Sequence, residues 1–245
     1  MKSQPKHVVI LGCGRSGTSI FGEFFDHLSM YQYLSEPDFD VLPALDQSQP
    51  IAVKVPRRSQ IHPPDKGLSI SVEKLFELFP NNLQIYWQLR HPLDTIASLK
   101  VGISKNWGHH PRPYDWEAWM NESLIKKCAY HWSYINRFGY EQIKDIAEVK
   151  RFEDMLADPM AFALKICEET GVEVESADAE IKAWADRVQN KNNDKFVEAV
   201  TSQAYSTKDH SVRVNRWKEN LSEEDVEVCR PFIQELAAQF SYPLP

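Results

Sequence analysis

One stretch, residues 8–25 (VVILGCGRSGTSIFGEFF), limits what this chain can fold into more than any other. Val8, Val9, Ile10 and Leu11 are a short apolar run of the kind that makes a buried strand, and Gly12 ends it. Gly12-Cys13-Gly14-Arg15-Ser16-Gly17-Thr18-Ser19 follows, and then Ile20, Phe21, Phe24, Phe25 and Leu28 recur at helical spacing. Strand, glycine-rich turn and helix in direct succession aim backbone N–H groups and a helix N-terminus at one point, usually a phosphate site. The glycines permit backbone conformations closed to other residues and let a ligand come close. Arg15 and the hydroxyls of Ser16, Thr18 and Ser19 add donors for oxyanions. The competing reading is a plain turn at a strand end with Arg15 solvated, and only context separates the two.

Gly12 and Gly17 keep the glycine spacing of the nucleotide-hydrolase loop GxxxxGK[ST], but Thr18 stands where its lysine belongs. That lysine, with a hydroxyl on Mg²⁺, is the working part of an ATP site. Its absence argues against an ordinary kinase or ATPase. With these residues in view, Arg15-Ser16-Gly17-Thr18-Ser19 resembles the 5′-phosphosulfate-binding loop of sulfotransferases that use 3′-phosphoadenosine 5′-phosphosulfate (PAPS). It is most similar to the branch with Arg-Ser-Gly-Thr/Ser-Thr/Ser, found in carbohydrate and tyrosylprotein sulfotransferases; the cytosolic small-molecule branch has lysine for that arginine. The resemblance implies PAPS as donor, 3′,5′-adenosine bisphosphate (PAP) as product, and no metal. It also implies that Gly14, Arg15, Ser16, Gly17, Thr18 and Ser19 hold the 5′ end.

The rest of the chain supplies partners for that loop. Residues 30–37 read as a second strand ended by Pro37, which places Glu36 at the strand's C-terminal end, where ligands gather in open α/β sheets. Glu36 lies 21 positions after Arg15, as a glutamate does in the Arg-type branch, and in carbohydrate enzymes Pro follows it. The resemblance implies a general base that removes the acceptor's proton. Ile51 to Val55 read as a buried strand, and Lys54-Val55-Pro56 is similar to a Lys-x-Pro of the tyrosylprotein branch that handles the sulfuryl group. Lys54 would then offset charge on the leaving phosphate; a lysine marking a strand end is the alternative. Arg57 and Arg58 read as solvated or partner-facing, with one of them available to the pocket.

Residues 71–79 suit an amphipathic helix and 83–89 a strand that delivers Arg90, with Pro92 fit for the first turn of a helix. Arg90 and Ser98, eight positions apart, resemble the family's 3′-phosphate segment. Residues 101–120 read as an irregular substrate loop or lid. Within it His109 and His110 make a weak metal site for want of a third ligand, and either could assist acceptor deprotonation. A helix is expected over about 114–138, its aromatic stripe taken as core. The run from 146 to 159 resembles the family's strand ending in aromatic-Glu-Asp, with Phe152 for a tyrosine and with Glu153 and Asp154 as scaffold. Helices are expected at 159–170, 175–190 and 222–240, and mobility at 190–210. Arg213-Val214-Asn215-Arg216-Trp217 resembles the basic C-terminal loop: Arg213 and Arg216 for the 3′-phosphate, Asn215 where the tyrosylprotein branch has a serine near the sulfate.

Length and charge complete the reading. The 245 residues, 42% hydrophobic, suit a single domain over 1–245. Its expected class is α/β, with a central, mostly parallel sheet flanked by helices, like the P-loop nucleoside-triphosphate hydrolases. A net charge of −7 gives no sign of a nucleic-acid partner. Cys13, Cys128, Cys167 and Cys229 form no CxxC pair and suit a reducing compartment. With no run of 18 apolar residues and a first strand near residue 7, the chain reads as cytoplasmic and bacterial, unlike the anchored Golgi enzymes. The expected function is sulfuryl transfer from PAPS to an acceptor hydroxyl of a carbohydrate, glycolipid or small molecule. A metal-dependent small-molecule kinase and a non-catalytic nucleotide-binding protein on the same fold are the alternatives.

Overall fold

A computed structural model describes residues 4–188 and 213–245. Five strands form one all-parallel sheet: β1 (His7–Gly12), β2 (Gln32–Ser35), β3 (Ile51–Lys54), β4 (Leu83–Leu89) and β5 (Ala147–Arg151), in the order β2-β3-β1-β4-β5. The sheet is the expected P-loop-like α/β arrangement. β1 is central, and its unbroken apolar run is what a strand covered on both faces requires. Alternation along the strands sorts the core. Val9, Leu11, Val53, Ile85 and Trp87 join one buried cluster, while Val8, Ile10, Ala52 and Tyr86 join the other.

Helices cover both faces. α1 (Thr18–His27), α6 (Pro159–Thr170) and α7 (Val174–Arg187) pack on the second cluster through Phe21, Phe24, Phe25, Phe162 and Trp184. α3 (Pro92–Ser104), α4 (Leu124–Tyr134) and α9 (Glu223–Gln239) pack on the first. α2 (Val72–Leu78), α5 (Phe152–Ala157) and the single-turn α8 (Trp217–Asn220) complete the described helices. After β3 the chain crosses over β1 to lay down β4, so the loop after β1 opens onto the crevice where the winding reverses. All four cysteines are buried and free of disulfides. Among the described residues no helix is long and apolar enough to cross a membrane.

Two expectations need correction. The helix expected over 114–138 begins only at Leu124, because Ser123 caps it by accepting from the Lys126 amide at 3.4 Å. The preceding segment folds back as one 3₁₀ turn (Trp116–Trp119). Trp119 stacks on Tyr130 at 3.9 Å, and Asp115 accepts from the Tyr130 hydroxyl at 2.6 Å. Beyond Tyr134 the backbone widens into a π turn (Ile135–Gly139). The second correction is that residues 101–104, expected in an irregular loop, are the last turn of α3. Residues 190–210, expected to be mobile, lie outside the described residues.

Candidate active site

The loop after β1 is shaped by what lies beneath it. Gly12 has φ +149°, and a Cβ there would stand 2.6 Å from the Gln88 carbonyl of β4. Gly17, at φ +96°, caps α1, and a Cβ on it would stand 2.3 Å from the Phe152 ring. Both positions therefore exclude a side chain. Ser16 is buried and donates its hydroxyl to the Cys13 carbonyl at 2.6 Å, which closes the loop from within. The amides of Thr18 and Ser19 begin α1 and have no acceptor inside the helix, so they face outward with the positive end of its dipole.

The two motifs expected to bind phosphate meet. Arg15 donates from Nε to the Ser98 hydroxyl of α3 at 3.0 Å. Arg90, buried at the end of β4, donates from Nη1 to the Arg15 carbonyl at 3.2 Å and from Nη2 to the Arg213 carbonyl at 2.5 Å. Its guanidinium lies 4.5 Å above the Phe152 ring, the same ring that underlies Gly17. Arg90 thus ties β1, β4 and the C-terminal segment together from a buried position and lines neither of the two cavities described below. Asp94, in the first turn of α3, is 1% exposed and accepts from the backbone amides of Asn215 and Trp217, each at 2.9 Å. Glu153 accepts from the His91 amide at 2.8 Å and from the Tyr242 hydroxyl at 2.9 Å, the scaffold role read from its motif.

Between α3 and the C-terminal segment lies a cavity of about 160 Å³ lined by Arg15, Ser98, Lys100, Arg216 and Asn220 among others. Lys100 donates to the Asn220 carbonyl at 3.2 Å. Arg216 and Arg213 are both buried; burial and then the charges of Arg90 and Arg187 push Arg213 down to about 10. Asn215 is exposed at φ +64° and lines neither this cavity nor the larger cleft; its amide, held by Asp94, is what the fold uses.

On the other side of Arg15 a cleft of about 810 Å³ opens. Gly14, Arg15, Thr18, Ser19, Glu36 and Lys54 line its inner part. Lys54, 2% exposed, donates to Glu36 Oε1 at 2.5 Å and to the Ser19 hydroxyl at 3.3 Å. Burial lowers the Lys54 pKa, and the Glu36 carboxylate opposes that shift. Three residues other than glycine sit in the left-handed region where β1, β2 and β3 end: Arg15 (φ +70°), Glu36 (φ +52°) and β-branched Val55 (φ +42°). The amides of Glu36 and Val55 donate to the Lys54 and Ile10 carbonyls, both at 2.8 Å, and hold this strain in place.

His109 is wedged behind the loop. A Cβ on Gly102 would stand 2.1 Å from its ring, and one on Gly14 3.3 Å away. Burial, then the charges of Arg15 and His110, lower His109 to about 3, so it is neutral at pH 7. His131, fully buried beside it and accepting from Trp107 Nε1 at 3.0 Å, moves the same way. Among the described residues no group of three or more His, Cys, Asp or Glu is gathered closely enough to hold a metal.

A sulfotransferase-domain family model matches residues 5–241, nearly the whole chain. The chain belongs to the sulfotransferase family. Its chemistry is therefore sulfuryl transfer, as the two motifs implied. Among solved structures, mouse sulfotransferase SULT7A1 complexed with PAP superposes with a TM-score of 0.58 at 14% identity, covering 97% of this chain and 85% of the other. Retinol dehydratase in complex with retinol and PAP gives 0.57 at 13%, covering 100% and 85%. Sulfotransferase STF9 from Mycobacterium avium gives 0.54 at 14%, covering 99% and 78%. At these identities the superpositions speak to the fold alone. No curated protein matches the chain.

The site also uses residues the sequence did not single out. Asp94 and Lys100 carried only the signal of polar residues on a helix that starts at a phosphate motif. Arg112, on the far wall of the large cleft, carried none.

Proposed function

We propose that this sulfotransferase moves the sulfuryl group of PAPS to a hydroxyl of a carbohydrate, glycolipid or small molecule, with Glu36 as general base. One observation carries the reading. Arg15 stands between two cationic cavities, bonded to Ser98 on one side and lining the Glu36–Lys54 cleft on the other. A donor with a phosphate at one end and a phosphosulfate at the other needs two such cups joined at one residue. The residues fit that ligand: Ser98, Lys100 and Arg216 offer donors to a 3′-phosphate, while the outward amides of Thr18 and Ser19 suit a 5′-phosphosulfate. Arg90 and Arg213 lie behind the first cup as buried charge, and the Asn215 amide fixes its outer wall. The PAP named in two of the superposed structures supports the same donor.

When bound, PAPS supplies an activated sulfuryl group. Glu36 takes the acceptor's proton as its oxygen bonds to sulfur. Lys54 and Arg15 offset the charge that passes to the leaving phosphate as the donor's S–O bond breaks. The loop amides of Gly14, Arg15, Gly17, Thr18 and Ser19 orient the donor for in-line attack, while Ser16, whose amide and hydroxyl both go to the Cys13 carbonyl, holds the loop closed and is not a ligand. Protein cations do the work that Mg²⁺ does in an ATP site.

Calorimetry with PAP and transfer of label from ³⁵S-PAPS test the reading together. PAP should bind at micromolar concentration or tighter, and Arg90→Ala should abolish that binding. Mg²⁺-dependent consumption of ATP without PAP binding would replace the proposal with a kinase; PAP binding without transfer to any acceptor would replace it with a binding protein.

A further inference from the structure

The large cleft holds more positive charge than the phosphosulfate end of a donor uses. Arg15, Lys54 and the loop amides already serve that end, yet Arg57, Arg58 and Arg112 line the same cleft. Two carboxylates stand against them: Glu36, which accepts from Lys54 through Oε1 and lies 3.8 Å from Arg57 through Oε2, and exposed Asp38.

These arginines are built into two facing rims. On one rim, Arg57 donates its amide to the Pro37 carbonyl at 2.7 Å and accepts from the Phe39 amide at 3.3 Å. Just beyond Arg58, Asp40 accepts from the Ser59 hydroxyl at 2.5 Å and the Gln60 amide at 2.7 Å. Residues 57–60 are thus clamped to 37–40 as a short extension of the sheet past β3. On the other rim, Arg112 donates from Nε to the Trp107 carbonyl at 2.9 Å and from Nη2 to the Asn106 carbonyl at 3.2 Å, with its guanidinium 4.4 Å over Trp116. His110 lines the same cleft. The backbone clamp thus places the exposed side chains of Arg57 and Arg58 on one rim, while Arg112 presents an anchored guanidinium from the other, ordered for a planar or tetrahedral oxyanion.

Resting on the proposed sulfuryl transfer, we infer that the acceptor carries an oxyanion of its own, a carboxylate or sulfate, which Arg57, Arg58 and Arg112 grip while its hydroxyl faces Glu36. The enzyme therefore selects acidic acceptors over neutral ones. The selectivity comes from the outer cleft and is separate from the 3′-phosphate cup, which lies on the other side of Arg15. Glu36 itself adds a sign rule: an acceptor whose anion lay next to its hydroxyl would meet the carboxylate, so the anion must stand off toward the rims.

The test uses the full-length protein and two matched sets of probes. One set is 4-nitrophenyl β-glucoside, its 6-sulfate and 4-nitrophenyl β-glucuronide; the other is 2-(4-hydroxyphenyl)ethanol and 4-hydroxyphenylacetate. Calorimetry first establishes PAP binding, and the probes are then titrated into the PAP-loaded protein and offered as acceptors with ³⁵S-PAPS. At least one acidic probe should bind about tenfold or more tightly than its neutral partner, the scale of one charge-assisted contact. The glucuronide and the 6-sulfate tell carboxylate from sulfate. Arg58→Ala, at an exposed position, should raise the KM of that acidic probe about tenfold with kcat and PAP affinity kept. Arg112→Lys should do the same through loss of the anchored fork. If PAP binds and the neutral probes do as well as the acidic ones, or no acidic probe binds, the inference is overturned while the donor reading stands. If wild type binds no PAP, both fall.

Discussion

The two sides of Arg15 are built on opposite principles. On the proposed donor side, Arg90, Asp94, Ser98, Arg213 and Arg216 are all buried, Arg90 and Asp94 bonded to backbone and Ser98 to Arg15, so this cup is fixed by the fold itself. On the acceptor side, Glu36 and Arg57 have side chains 43% and 64% exposed and meet at 3.8 Å, a loose contact worth little by itself. The contrast teaches where each kind of specificity lies. A fixed donor with two anionic ends, as proposed, favours preorganised cations whose desolvation is already met by the fold. A variable acceptor is met by side chains at the open ends of strands, where substitution leaves the core untouched.

Substitutions can break that contrast. The largest effect belongs to Glu36→Gln, which should lower kcat about 10²- to 10⁴-fold, the usual reach of a general base, with PAP affinity unchanged by calorimetry. Loss of PAP binding in this variant would show that the two sides are not separable. Next comes Arg90→Ala, which strips a buried charge from three partners and should weaken PAP binding about 100-fold or more. Asp94→Asn sharpens the comparison further, since it touches no proposed ligand. It should cost about tenfold in PAP affinity by turning one of the two oxygens into a donor, so that either the Asn215 or the Trp217 amide loses its acceptor, with the acceptor KM unaffected.

A smaller effect is set by pH. His109 titrates near 3 when folded but at its ordinary 6.5 when unfolded, so between those values the unfolded chain holds the extra proton. Stability is then full above pH 6.5 and falls as pH drops toward 3, by up to about 1.4 kcal/mol per pH unit. His131 adds a loss of the same sign. Urea midpoints measured from pH 7 to 4.5 should fall, and His109→Gln should flatten the slope; an unchanged slope would remove His109 from the wall behind the loop. The smallest effect is that of Arg58→Ala on folding, within about 0.5 kcal/mol at an exposed position.

Much of the donor side was legible because its pieces are local. Val8 to Leu11 read as a buried strand, Gly12 and Gly17 as turn positions, and Arg90 and Ser98 as a strand end and the helix that follows. Each statement needs only neighbours a few residues apart. The helix expected over 114–138 failed for a different reason. Its aromatic stripe was real, but Trp119 stacks back on Tyr130 instead of continuing the helix, and a pairing across a turn leaves no periodic trace. Asp94 was passed over because a carboxylate in a helix's first turn is common, and its two backbone partners lie more than 120 residues away. Arg57 and Arg58 read as solvated or partner-facing with one available to the pocket, and both are exposed; that both line the same cleft depends on the clamp between 57–60 and 37–40.

By itself the amino-acid sequence determined the glycine-rich turn between β1 and α1, the strand end and helix start that carry Arg90 and Ser98, and the parallel α/β class, because glycine conformations, apolar runs and helix starts are decided within a few residues. Only the tertiary structure decided that Arg15 reaches Ser98 across 83 positions, that Asp94 pins the C-terminal segment, and that Arg57, Arg58 and Arg112 ring one cleft. The reason is the order of the sheet. β4 lies beside β1 although two strands intervene in the chain, and no local propensity encodes which strand ends become neighbours.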